Sequence, residues 1–293
     1  MLNRVAVATA IADADPGLDQ IDFERFRRYI HEAAGIDLGP SKRALIQSRL
    51  AKRLRALHLH SYRAYWEFLN QPTAHEERQR ALNLLTTNET YFFREPDHFV
   101  WLQHYATELA AQRGAAIKVW SAACSTGEEP YTIAMILAER LGTDVAWTVT
   151  ATDINTRVTR FAQRAIYPLE QARKIPPHLC QRFFQRGIEE YTDTVRVRPE
   201  LAKRVEFSNV NLLKCASFPC QDFDVIFLRN VLIYFDDSAR SAALRQLCEK
   251  LRPGGYLLIG HSEAIQDKTL PLRQEAISRY RHVEKMATQR SIK

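Results

Sequence analysis

The chain has 293 residues, 46% of them hydrophobic, and its 41 Lys and Arg against 34 Asp and Glu leave a net charge of +7. That apolar content supports a sizeable core, in two domains or one large one, and excludes a wholly disordered chain. No apolar run reaches the roughly 18 residues of a membrane-spanning helix, and the scattered Cys124, Cys180, Cys215, Cys220 and Cys248 form no CxxC, which argues against a disulfide scaffold or a zinc site.

Residues 1–20 lack the basic start and long apolar core of a secretion signal and read as a flexible lead-in to a cytoplasmic protein. Residues 21–85 then read as a small all-helical domain. Its segments are Asp22 to Ala34, Pro40 to Leu57, Tyr62 to Asn70 and about His75 to Leu85, punctuated by Gly35 and Gly39-Pro40. The second segment is basic: Lys42, Arg43, Arg49, Lys52, Arg53 and Arg55 sit among Leu45, Ile46, Leu50 and Leu54, with no acid between Pro40 and His60. Such a face is either simply solvated or a docking surface for an acidic partner, drawn in faster at low salt.

From Ile117 the pattern changes. Ile117 to Ala123 reads as a buried strand, Cys124 to Pro130 as a small-residue turn, and Tyr131 to Leu141 as a helix, the usual first unit of a cofactor-binding α/β sheet. The turn holds one glycine, Gly127, so neither GxGxxG nor a P-loop is present. It carries Glu128 and Glu129 instead, which repel a pyrophosphate and suit a cationic group or a diol. S-adenosylmethionine offers both. Acids are also favoured in any first helical turn by the macrodipole. Trp147 to Thr152 is a second strand ending at Asp153, placed where these folds hydrogen-bond a ribose diol, or else where a helix cap sits. Asn155 caps the helix from Thr156 to Ala165.

Residues 168–205 interrupt the alternation. Pro168 to Pro177 is loop-like, Pro177 to Gln185 helical, and Thr194 to Arg198 alternates like an edge strand. A third unit follows: the strand Val225 to Leu228 ends in Arg229-Asn230, a helix runs from Ser238 to Leu251, and Pro253-Gly254-Gly255 turns into a strand from Tyr256 to Gly260. The order implies a doubly wound, mostly parallel sheet.

Six motifs occur in sequence: Thr86-Thr-Asn-Glu-Thr-Tyr-Phe-Phe-Arg-Glu95, Trp120-Ser-Ala-Ala-Cys-Ser-Thr-Gly-Glu-Glu-Pro130, Ala151-Thr-Asp153, Asn211-Leu-Leu213, Arg229-Asn-Val-Leu-Ile-Tyr234 and Gly260-His-Ser-Glu263. Together they resemble the CheR family of chemoreceptor glutamate O-methyltransferases, from about residue 20 onward. The resemblance implies a Rossmann-like methyltransferase domain at 86–287 with a small inserted β-subdomain, the helical domain before it, and a tail at 288–293. It implies S-adenosyl-L-methionine as cofactor, with S-adenosyl-L-homocysteine as product. It implies as partner the cytoplasmic signalling domain of a chemoreceptor, methylated on glutamate, by a monomeric enzyme.

Carried onto this chain, the resemblance implies that Asn88, Thr90, Arg94, Glu129 and Asp153 line the cofactor pocket, Asn211 and Leu212 flank the adenine, and Arg229 and Asn230 close it. It implies Arg94 and Tyr234 at the transferring methyl, no metal, and a receptor contact on the basic helix. Some relatives clasp a receptor pentapeptide on the inserted sheet and carry glycines before its strand; here that loop, residues 187–194, has one glycine and three acids.

A glutamate substrate with a pKa near ~4.3 is already an anion at neutral pH, so orientation rather than a general base is what the site must supply. Two other readings stand beside this one. A methyltransferase acting on base amines would show an Asn/Asp-Pro-Pro-aromatic tetrad where residues 229–234 stand, and there is no proline there, nor a basic-aromatic strip elsewhere. A non-catalytic scaffold would have lost pocket residues, and Asn88, Arg94, Asp153, Asn230 and Tyr234 are all present.

Overall fold

The computed structural model of the protein describes residues 16–112, 115–142 and 145–283. The greater part of the expected lead-in and the expected tail lie outside them. Residues 16–19, expected to be part of that lead-in, are built into the fold: Leu18 is buried and Asp19 caps the first helix. The chain divides into two compact units between Thr87 and Asn88.

The first unit is helical. Helix α1 (Gln20–Ala34) starts two residues before the sequence pattern suggests, because the Asp19 carboxylate accepts the Asp22 N–H at 2.7 Å. It ends at Gly35 with φ 71°, a left-handed cap that suits glycine. A short 3-10 turn at Pro40–Lys42 leads into α2 (Arg43–Ala56), followed by α3 (Tyr62–Leu69) and α4 (His75–Leu85). Phe26 of α1 meets the rings of Tyr62, Tyr65 and Trp66 of α3 within 6.4 Å. Ile46, Leu50 and Leu54 of α2 are buried in the same unit.

The second unit opens with a helix the sequence pattern did not single out, α5 (Asp97–Gln112). Then come β1 (Ile117–Ala122), α6 (Glu128–Leu141), β2 (Trp147–Asp153) and α7 (Thr156–Arg164). Helix α6 starts three residues earlier than expected. Pro130 falls in its first turn, where a missing N–H costs nothing, so it belongs to the helix rather than to the turn.

The main sheet continues with β6 (Val205–Asn209), β7 (Phe223–Leu228), β8 (Leu251–Ile259), β9 (Leu272–Ala276) and β10 (Arg279–His282), with α11 (Asp237–Lys250) before β8. Its order is β6-β2-β1-β7-β8-β10-β9; the first five strands are parallel, and β10 pairs antiparallel with both β8 and β9. The doubly wound expectation is met. Pro253-Gly254-Gly255 is not a turn between elements but a bulge inside β8. Phe223 pairs with Leu251 and Val225 already with Tyr256, and a Cβ on Gly255 would lie 2.9 Å from the Phe223 carbonyl oxygen.

The insertion folds as β3 (Ile166–Pro168), α8 (Leu169–Ala172), α9 (Pro177–Phe183), β4 (Phe184–Arg186), β5 (Thr194–Val197) and α10 (Pro199–Ala202). The strand expected at an edge, β5, is the central one: β3 and β4 pair with it from either side. Its alternation reflects one face packed on the core, with Val195 and Val197 buried, and that pattern is the same for edge and central strands of a half-covered sheet. Strand addition at β5 is therefore excluded.

Candidate active site

Strands β1 and β7 are neighbours in the sheet, and near their carboxyl ends the chain holds left-handed backbone at non-glycine residues: Phe93 (φ 58°), Glu95 (55°), Ala123 (68°), Ser125 (50°) and Asn230 (58°). Such conformations cost about 1–3 kcal/mol each and persist only where the surroundings impose them. What imposes them here is a web of ionic and backbone hydrogen bonds.

Arg229, at the end of β7, is its centre. Its Nε and Nη2 donate to Glu95 Oε2 at 3.2 and 3.0 Å, its Nη1 to Glu129 Oε2 at 3.0 Å, and its Nη2 also to the Arg94 carbonyl oxygen. The other oxygen of Glu95 accepts the Asn230 Nδ2 and the His261 backbone N–H, each at 3.2 Å. The other oxygen of Glu129 accepts the Ser121 hydroxyl at 2.6 Å. Glu263 clasps the far side: Oε2 accepts the backbone N–H of Asn230 at 2.9 Å and of Gly260 at 2.6 Å, and Oε1 that of Ile233 at 3.3 Å.

A Cβ on Gly260 would lie 2.6 Å from Asn230 Nδ2 and 2.8 Å from Glu263 Oε2, so a side chain there would displace both groups. Burial pushes the Glu129 carboxyl up against the opposing pull of Arg229. Burial also acts to raise Glu95, but Arg229, the His261 N–H and Asn230 together outweigh it and hold that carboxyl below the usual range. Two carboxylates on one guanidinium leave the cluster one negative charge in excess. That excess fits a ligand bearing an ammonium and a sulfonium.

The second half of the site is held by Asp153. Its Oδ2 accepts the Ser125 N–H and its Oδ1 the Asn155 N–H, both at 2.9 Å, which ties the loop after β1 to the loop after β2. Burial raises its pKa while these backbone donors pull the other way. The helix-capping role belongs to Asn155, whose Oδ1 accepts the N–H groups of Arg157 and Val158. Asn88 joins both loops: its carbonyl accepts the Ser125 hydroxyl and its Oδ1 the Asn155 Nδ2, each at 2.8 Å. Two residues after β6, Asn211 Oδ1 accepts the Leu213 N–H at 3.0 Å to open a 3-10 turn in which Leu212 is buried.

Thr90 is half-buried, and among the described residues its side chain meets no hydrogen-bond partner. Arg94 is half-exposed and donates to the Glu89 carbonyl at 2.9 Å. Tyr234 sits in the 3-10 turn Leu232–Tyr234, half-exposed rather than a core aromatic.

The two adjacent glutamates part company. Glu129 joins the Arg229 cluster, whereas Glu128 is buried and its carboxylate accepts the Thr126 hydroxyl at 2.7 Å. Burial raises its pKa. A raised carboxyl stabilises the fold below its unfolded pKa and loses that contribution as pH rises through the folded value. Glu128→Gln is therefore expected to stabilise the protein at pH 7 by about 1–3 kcal/mol, with the gain vanishing below the ordinary glutamate range. Thermal unfolding of both forms at several pH values checks this; a loss of stability at pH 7 would refute it.

Among the described residues, Glu95, His98 and His261 bring one potential metal-ligand atom each within 4.8 Å of one another. Both Glu95 oxygens already serve Arg229, Asn230 and His261, and burial together with Arg229 pushes the neutral His98 down to about 3. The guanidinium occupies the place of a cation.

The basic helix is less open than its sequence suggests. Arg53 makes a two-pronged ion pair with the buried Glu77 at 2.7 and 2.8 Å, shared with the Tyr65 hydroxyl. Arg49 donates to the Leu85 and Thr86 carbonyls, and Arg43 to the Leu18 carbonyl. Lys42, Lys52 and Arg55 are exposed. The fold also assembles a basic-aromatic grouping absent from any linear stretch: Trp101, Tyr105 and Tyr256 pack at 4.9 Å, with Arg279 over Trp101 and Arg281 over Tyr256.

Sequence reasoning missed Glu95, Ser121, Asn155 and Glu263 as site residues. Glu95, Ser121 and Glu263 lie inside the family motifs themselves, and their being polar within those motifs was the available signal.

Residues 88–281 match the family model described as CheR methyltransferase, SAM binding domain, and residues 21–86 that described as CheR methyltransferase, all-alpha domain. A chemotaxis protein methyltransferase of Salmonella typhimurium is 44% identical over 247 residues, 84% of each chain. That of Escherichia coli is 43% identical over 84% of this chain and 85% of its own, and chemotaxis protein methyltransferase 2 of Pseudomonas aeruginosa is 42% identical over 83% and 86%.

Proposed function

The chain belongs to the CheR methyltransferase family, and on that premise we propose that it methylates glutamate side-chain carboxylates of chemoreceptor signalling domains, forming methyl esters. S-adenosylmethionine is its cofactor and supplies, when bound, a methyl group made electrophilic by the sulfonium. The reading places the enzyme in the cytoplasm, acting as a monomer on a receptor partner.

The observation that carries the reading is the Arg229 cluster, in which the guanidinium holds the Arg94 carbonyl and the half-buried Glu95 carboxylate, and Glu95 in turn accepts from the Asn230 side chain. Two groups of the neighbouring segments, Arg94 and Tyr234, have hydrogen-bonding capacity to spare. Arg94 spends one Nη on a backbone carbonyl, which leaves guanidinium N–H groups to orient a carboxylate. The Tyr234 hydroxyl has no partner among the described residues and is free to order the same centre. Because the substrate is already ionised near neutral pH, the residues need only align it. Such alignment contributes about 7–11 kcal/mol at its limit. Glu129, Asp153, Asn88, Thr90, Asn211 and Leu212 are the proposed cofactor contacts, with Arg229 and Asn230 closing them.

The test is transfer of radiolabelled methyl from S-adenosylmethionine, with a receptor signalling domain and bulk nucleic acid offered in parallel. Alkali-labile label on the receptor supports carboxyl methylation; alkali-stable label on nucleic acid would overturn it.

Receptor docking is assigned to exposed charges, chiefly Lys42 in the turn before α2 and Lys52 and Arg55 of α2, with Arg43, Arg49 and Arg53 holding the helix in place. Lys52→Glu with Arg55→Glu is expected to slow receptor methylation roughly tenfold at low salt, as two exposed pairs of up to about 1 kcal/mol each allow, with cofactor affinity intact. Arg53→Ala should instead destabilise the helical unit by about 3 kcal/mol, because the buried Glu77 loses its two-pronged partner and keeps only Arg80, at 3.5 Å. Equal methylation rates for the double reversal and the wild type at low salt would remove the docking assignment.

A further inference from the structure

Tyr91 and Phe92 are adjacent in the segment that carries Arg94, and they serve different surroundings. Phe92 is buried, with its ring 5.0 Å from Tyr167 and 5.7 Å from Phe184 of the insertion. That contact fixes the segment against the insertion and leaves Tyr91 exposed. The insertion then delivers a residue onto the Tyr91 ring. Lys174 lies just after α8, between the buried Ala172 and Ile175, and its Nζ is 3.5 Å from the Tyr91 ring centroid. The Arg94 guanidinium carbon is 5.8 Å from the same centroid.

Two cations therefore converge on one exposed aromatic ring. The ring's negative face offsets part of their mutual repulsion. Neither meets a carboxylate among the described residues: the Arg94 side chain bonds a backbone carbonyl, and Lys174 has no ion pair. A pair of like charges held together without a counter-ion, beside a site that receives an anionic side chain, raises the local concentration of acidic ligands.

We propose that Lys174 and Arg94, set on the Tyr91 ring, form a two-carboxylate receiving site for an acidic protein segment. Arg94 takes the side chain that is methylated, and Lys174 a neighbouring acid of the same segment. Lys174 is then a specificity-determining residue that favours glutamates with a second acid close by. This rests on the glutamate-methylation reading above for its biological substrate, but not for its ligand chemistry.

The experiment uses the full chain and two readouts. The first is equilibrium binding of a short glutamate-rich helical peptide and of its glutamine counterpart. The second is methyl transfer to a receptor signalling domain, read as KM and kcat. Lys174→Glu should weaken the glutamate peptide by about fivefold or more, the scale of one lost exposed ion pair. It should leave the glutamine peptide and S-adenosylmethionine affinity unchanged, and raise receptor KM with little change in kcat. Lys174→Arg should restore the affinity, and Tyr91→Leu should weaken it by removing the platform. Equal affinity of Lys174→Glu and wild type for the glutamate peptide would overturn the proposal while leaving the function reading standing. A wild-type enzyme that binds cofactor and labels no receptor would overturn the function reading, and the peptide affinities would still decide the role of Lys174.

Discussion

Arg229→Met is expected to abolish methyl transfer and to destabilise the unit that begins at Asn88 by about 3–5 kcal/mol. Methionine roughly matches the length of the arginine stem but supplies no donor. Its introduction leaves Glu95 and Glu129 mostly buried, with side chains 14% and 13% exposed, and without the cation they share. It also frees the Arg94 carbonyl, so the loop that presents Arg94 loses its tie to the sheet. The loss should depend on pH. Glu95, held low by Arg229 despite burial, contributes stability that is present above its unfolded pKa and lost as pH falls through the folded value. The variant lacks that contribution, so its deficit should narrow below the ordinary glutamate range. Urea unfolding from about pH 2 to pH 8 and calorimetry with S-adenosylhomocysteine read both effects. A variant with wild-type stability and activity would show that the cluster is dispensable.

Asp153→Ala is expected to weaken cofactor binding by about 10- to 100-fold. Two buried backbone donors, Ser125 N–H and Asn155 N–H, lose their acceptor at about 1–3 kcal/mol apiece. Through Ser125 and Asn155 the effect reaches Asn88, which both residues contact. A ribose diol bound there would lose its acceptor as well. Asp153→Asn keeps one oxygen able to accept and should cost less. The order Ala worse than Asn worse than wild type, measured by calorimetry, separates loss of the acceptor from loss of the charge; unchanged affinity in Asp153→Ala would contradict the assignment.

The expected position of Asp153 held because strand ends are legible. Trp147 to Thr152 is β-rich, with Trp147, Val149 and Ala151 on one face and three threonines on the other, and the acid that stops it must lie at the rim where ligands bind. The pair Glu128 and Glu129 was legible only as a pair. Consecutive helical residues point about 100° apart, and which of them meets Arg229 depends on where β7 ends, nearly a hundred residues later in the chain. Arg49 and Arg53 misled for a similar reason. Their spacing on α2 is that of a solvated basic face, but α4 packs against that side and brings Glu77 beneath Arg53.

Local pattern determined a good deal about this protein by itself. Helical periodicity and glycine breaks marked the first unit, and strand-turn-helix alternation with acids at strand ends marked the second, because burial periods and turn chemistry act over a few residues. Long motifs identified the family. Only the tertiary structure decided that β5 is central, that Pro253-Gly254-Gly255 is a bulge, that Arg229 joins Glu95 to Glu129, and that Lys174 reaches Tyr91. Each of these is a contact between residues remote in the chain or a choice of neighbour in a sheet. Strand pairing and ion-pair partners are set by which surfaces bury each other, and no short window of sequence carries that information.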